Sequence, residues 1–126
     1  MDVNAEAQKI IARIPERPEY ASAELLVKKL NDSGITCLGG RPRSHDDTLE
    51  CDLVDDAGAN LVASVFGSVA ARDALLRSRL QKSWLPQVCV FGANWFVTLD
   101  ANAKAGQVAR ALGGTVVRIG PADLTR

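Results

Sequence analysis

Between Thr48 and Val54 the chain alternates strictly: Leu49, Cys51 and Leu53 are apolar, Glu50 and Asp52 are acidic. Successive side chains of a strand point to opposite faces, so this segment has one dry face and one wet face. That is the pattern of a half-buried antiparallel strand.

The neighbouring segments complete the plan. Asn60 to Phe66 is a second strand, joined to the first by the turn-forming Asp55-Asp56-Ala57-Gly58-Ala59. Upstream, Val3, Ala7, Ile10, Ile11 and Ile14 have helical spacing over residues 2–14, and Pro15 stops the run. Pro15-Glu16-Arg17-Pro18 is a stiff connector. A helix over 18–32 follows, with Ala23, Leu26, Val27 and Leu30 on one face and Gly34 as its left-handed end. Ile35 to Leu38 reads as a short strand, and Gly39 to Asp47 as a turn-rich loop.

Downstream, Ser68 suits the N-cap of a helix over 69–82. Val88 to Phe91 and Trp95 to Leu99 form a hairpin around Gly92-Ala93-Asn94. Asp100 is placed to cap a helix over 101–112 that ends at Gly113-Gly114, and Thr115 to Ile119 is the last strand. The expected fold is α+β: an antiparallel or mixed sheet covered by helices on one face, with a ferredoxin-like second half and an extra N-terminal helix. Residues 1–17 are expected to be that helix and its connector, free to pack peripherally. Residues 18–120 make a single domain and 121–126 a loose tail.

The chain has 126 residues with 15 basic and 15 acidic side chains, so its formal net charge is zero. Together with an ordinary share of apolar (47%) and charged (24%) residues, that argues against a disordered tail, a collagen-like fibre and a highly basic histone-like binder. The balance is uneven along the chain: residues 34–67 carry six acids and two bases, and residues 68–126 carry three acids and eight bases. Such polarity suits head-to-tail self-association or a charge-segregated partner. Asp46, Asp47, Glu50, Asp52, Asp55 and Asp56 crowd one stretch, read as a solvated sheet face, with a basic partner or a metal as alternatives. No apolar run is long enough to span a bilayer, and the N-terminus has no secretory-signal pattern. The chain is expected to be soluble, either cytoplasmic or exported with a signal or anchor removed.

Three cysteines, Cys37, Cys51 and Cys89, leave several readings open: small buried apolar residues, a Cys37–Cys51 disulfide across neighbouring strands, or a zinc site with His45. Phosphate-loop, dinucleotide, serine-hydrolase and zinc-protease motifs are absent. With one histidine there is little room for acid–base chemistry, so no catalytic residue and no cofactor are assigned. Two surfaces stand out. Trp84 and Leu85 put an apolar pair where polar turn residues are usual, and together with Ile10 and Ile14 of the first helix they are candidates for a protein interface. Arg72, Arg77, Arg79 and Lys82 on helix 69–82 are candidates for phosphate or another anionic ligand, with Phe91, Trp95 and Phe96 as a conceivable stacking platform. Neutral overall charge disfavours nucleic acid.

From Ala21 to Ile119 several short stretches carry a resemblance: Gly34-Ile35-Thr36-Cys37 with Cys51 on the next strand, Val90-Phe91-Gly92-Ala93-Asn94-Trp95-Phe96-Val97, and Ala109-Arg110-Ala111-Leu112-Gly113-Gly114-Thr115-Val116-Val117. The layout resembles a group of small, mostly uncharacterised actinobacterial secreted proteins and lipoproteins. The resemblance implies a Cys37–Cys51 bridge and an exported domain, and brings no catalytic residues. The same fold would suit an intracellular, phage- or prophage-encoded protein. The expected function is a non-catalytic protein-binding module, a possible homo-oligomer. The alternative is a small-molecule or nucleic-acid binder using helix 69–82.

Overall fold

A computed structural model of the chain describes residues 2–42, 47–54, 59–82, 86–100 and 104–120. In chain order the elements are α1 (Val3–Ile11), α2 (Ala23–Asp32), β1 (Cys37–Pro42), β2 (Thr48–Leu53), β3 (Asn60–Val65), α3 (Val69–Gln81), β4 (Gln87–Phe91), β5 (Trp95–Leu99), α4 (Ala105–Leu112) and β6 (Thr115–Ile119). The fold is α+β. All six strands form one open sheet in the order β1-β2-β3-β5-β4-β6, and every neighbouring pair is antiparallel. The second half runs α3-β4-β5-α4-β6, with β6 on the outer side of β4.

Local chemistry sets most boundaries. Side-chain oxygens of Asp2, Ser22 and Ser68 accept backbone N–H groups in the first turns of α1, α2 and α3, satisfying donors that the helices leave open. Gly113 ends α4 at φ 81°, and Gly34 follows α2 at φ 91°, a region where other residues are strained. α4 begins at Ala105 with Lys104 as a cap that lends no side-chain hydrogen bond, so Asp100 does not cap it directly. Residues 101–103 of the expected helix lie outside the described residues.

Three expectations are corrected by tertiary contacts. First, helices cover both faces of the sheet. Val90, Trp95 and Val97 pack with α2 and α4 through Leu26, Leu30, Val108 and Leu112. The alternate residues Cys89, Phe91 and Phe96 pack with α1 and α3 through Ala7, Ile10, Leu76 and Leu80. β4 and β5 are apolar on both sides, so one helical layer would leave half their side chains in water. Second, α1 belongs to the core: its stripe is buried against α3 and β6, and the Thr115 hydroxyl donates to the Arg13 carbonyl at 2.9 Å. Third, residues 18–22 are not helical. The Arg17–Pro18 peptide is cis, and the segment is gripped by the β4–β5 turn. The Asn94 side chain accepts from Tyr20 N at 3.0 Å and donates to Tyr20 O at 2.8 Å. Trp95 Nε1 donates to Pro18 O at 3.1 Å, and the Tyr20 hydroxyl donates to Leu112 O at 3.0 Å.

β1 also extends further than the sequence suggests, through Gly39-Gly40-Arg41-Pro42. An edge strand pairs on one side only, so a proline and a positive-φ glycine are tolerated there.

Candidate functional site: the bare half of the sheet

The basic helix is largely committed to the fold. Arg72 is 5% exposed, and its Nη1 donates to the carbonyls of Gly92 (3.2 Å) and Ala93 (2.8 Å). Its Nε and Nη2 donate to Asp73 Oδ1 at 3.0 and 2.8 Å. The guanidinium therefore closes the β4–β5 turn and is not free to hold a phosphate. Arg79 lies over the Phe96 ring, 5.5 Å from its centroid, and donates to Gln87 Oε1 at 3.3 Å. Arg77 is half-buried and Lys82 is exposed. Phe91, Trp95 and Phe96 are all buried, because both faces of their hairpin are covered, so none is available to stack on a base.

Ile10 and Ile14, nominated for a protein interface, are 5% and 9% exposed and pack inside the domain. Trp84 and Leu85 lie outside the described residues, as do Asp46, Asp55, Asp56 and His45. Among the described residues there is no group of three or more His, Cys, Asp or Glu placed to hold a metal ion, and no helix is long and apolar enough to cross a membrane.

The unequal cover of the two sheet faces shows where a surface remains. α2 and α4 lie over one face and share their core with β1, β2 and β3 as well as β4 and β5. The core beneath α1 and α3 draws only on β4, β5 and β6 among the strands. Among the described residues, no helix packs on β1, β2 and β3 on that second face. The register gives the layout: Asp52 stands between Leu38 and Asn60, Glu50 between Arg41 and Val62, and Thr48 beside Ser64. Leu38 is 57% exposed. Arg41 Nη1 approaches Asp52 Oδ2 at 3.6 Å, with both side chains more than half exposed, whereas Glu50 makes no ion pair among the described residues. The Thr48 and Ser64 hydroxyls share a 3.0 Å hydrogen bond. This patch is polar with one exposed leucine, and among the described residues it carries one more acid than base.

Asp47, the third described acid of the stretch, is held elsewhere. Its Oδ1 accepts the Ala23 N–H at 2.9 Å and anchors the start of α2. The sulfurs of Cys37 and Cys51 lie at disulfide distance, with Cα atoms 5.4 Å apart, tying β1 to β2. Cys89 is a buried free thiol beneath α3, and burial pushes its pKa up to about 11, against the lowering effect of Arg79. A thiol held protonated in this way is a poor nucleophile.

Sequence reasoning missed Arg72 as a structural residue. A cation near the positive end of a helix is unfavourable unless something else compensates it, and here two carbonyls and a carboxylate do. The bare half-sheet was legible only as the wet side of β2; that no helix reaches it is a property of the assembled fold. Comparison with protein-family models, with curated proteins and with solved structures returned no match.

Proposed function

We propose that the chain is a non-catalytic binding module, and that its contact surface is the bare half-sheet of β1, β2 and β3. The observation that carries this reading is the partial cover of the second face: among the described residues the core beneath α1 and α3 draws on no strand beyond β5, and leaves a patch around the half-buried Glu50 and the exposed Asp52. The fitting partner is a protein segment with basic side chains and an apolar residue for Leu38. Opposite charges across a contact steer association and fix register. The Cys37–Cys51 pair favours an oxidising compartment, in line with an exported or cell-envelope protein.

A two-dimensional NMR titration with a peptide alternating Lys and Val tests the surface. Shifts confined to β1–β3 and lost in the Glu50→Lys, Asp52→Lys variant are expected. Shifts centred on α3, or unchanged by the double substitution in a variant with native circular dichroism, would overturn the reading. Mass spectrometry of native chain from its source under non-reducing conditions tests the compartment: three free thiols would refute it.

A further inference from the structure

The two edges of the sheet are held very differently. β6 buries Val117 and Ile119 in the core beneath α1 and α3. β1 buries Cys37 alone; every residue from Leu38 to Pro42 is exposed. Its ladder with β2 shifts register between Leu38 and Arg41, where Gly39 sits at φ 78°. Pro42 has no N–H to give. The Cys37 N–H goes to Asn31 Oδ1 at 2.8 Å, a side chain of α2, and not to the sheet. One buried side chain anchors β1, and that side chain is half of the disulfide.

β2 does not depend on β1 in the same way. It pairs with β3 over five consecutive positions, Thr48 to Asp52, and its Cys51 and Leu53 are core residues in their own right. Removing β1 leaves β2 as a regular edge with an open row of N–H and C=O groups, the arrangement to which an extended chain adds as a strand.

We propose that β1 is a latched edge strand: reduction of the Cys37–Cys51 bond releases it from β2, and the opened β2 edge takes an extended peptide segment that carries a basic side chain. β1 itself shows what fits. Its Arg41 stands opposite Glu50 in the register and reaches Asp52. A second copy of the chain is the poorer occupant, because antiparallel β2–β2 pairing about Cys51 sets Glu50 opposite Asp52 of the other copy, and like charges directly opposed are unfavourable.

The chemistry is thiol–disulfide exchange with a dithiol. One thiolate of the dithiol attacks a sulfur of the bond, forming a mixed disulfide and releasing the other cysteine as thiolate. The second thiol of the dithiol then displaces the remaining cysteine. The chain gains two electrons and two protons as two thiols, and the dithiol leaves as a disulfide. Cys37, and not the fully buried Cys51, lines a cleft of about 580 Å³ between α2, β1 and β2 together with Val27, Pro42 and Leu49, so the first attack falls on the Cys37 sulfur. Cys89 lies on the opposite face of the sheet and takes no part.

Hydrogen–deuterium exchange of the full chain, oxidised and then reduced by a dithiol with the mass gain of two units confirmed, tests the latch. Amides of Leu38–Arg41 and the outer edge of β2 should exchange at least tenfold faster after reduction, with β3, β5 and β4 unchanged. No change in β1, or a uniform increase across all strands, overturns it, the latter because the bond would then hold the whole domain. A fluorescent peptide of Thr36–Pro42 carrying Cys37→Ser should bind the reduced chain saturably and the oxidised chain not at all. An equal response to the same peptide with Arg41→Glu, or dimerisation of the reduced chain in place of peptide binding, overturns the assignment of the occupant.

Discussion

Replacing Arg72 with Met tests the reading that this arginine is a turn clamp and not a ligand for anions. The substitution keeps the aliphatic stem and so opens little space, but it removes four hydrogen bonds: two to the carbonyls of Gly92 and Ala93, and two to Asp73 Oδ1. Hydrogen bonds to a charged group contribute about 1.5–3 kcal/mol each, and removing one partner of a buried ion pair costs about 3–5 kcal/mol because the other charge stays behind. The Asp73 side chain is 17% exposed, so water recovers part of that penalty, and a loss of about 3 kcal/mol is expected. For a chain of this size each kcal/mol moves the melting temperature by about 4 °C, so Arg72→Met should melt about 12 °C lower. Guanidinium unfolding followed by tryptophan fluorescence reads the change, since Trp95 adjoins the clamped turn. Asp73→Asn alone and the double variant complete a cycle whose coupling should exceed about 1 kcal/mol. An Arg72→Met variant within about 1 kcal/mol of the parent, or strict additivity in the cycle, would refute the clamp and return Arg72 to the pool of available cations.

Three further outcomes follow from named contacts. Cys89 should resist alkylation in the native chain at pH 8 and react once the chain is unfolded. Its folded pKa of about 11 lies above the ordinary thiol value of 9.0, so the native state holds the proton more tightly; that stability is present below pH 9, shrinks between 9 and 11 and is gone above, which a pH series of unfolding midpoints against Cys89→Ala will show. Asn94→Ala removes both hydrogen bonds to the Tyr20 backbone and should cost about 2 kcal/mol, with proteolysis between Pro15 and Ser22 as a local readout; an unchanged cleavage rate contradicts the grip. Gly114→Ala places a methyl 2.6 Å from the Trp95 ring and 2.8 Å from the Phe91 carbonyl, so it should destabilise the chain and shift tryptophan emission, whereas Gly40→Ala, which meets nothing within 4 Å, should not.

Much of the fold was legible because its signals are local. The alternation in β2, the Ser68 cap and the glycines after α2 and α4 act within a few residues of where they are written. The misplaced boundaries share another cause. Residues 18–22 pattern as the start of a helix, yet the backbone there bonds to Asn94 and Trp95, more than seventy residues away. Gly39 to Pro42 has loop composition, yet β2 supplies a partner that lets it count as a strand. The candidate site was half legible: Glu50 and Asp52 could be placed on a wet face, but its emptiness could not.

The sequence alone determined the order and type of the elements, because capping, breaking and hydrophobic period are properties of neighbours along the chain. The tertiary structure decided which faces those elements cover. It buried Ile10, Ile14 and Arg72, brought Cys37 to Cys51, and, among the described residues, left β1 to β3 without a helix on one side. Those outcomes depend on strand order and on which helix reaches which strand, and both are set by burying the most apolar area between distant segments.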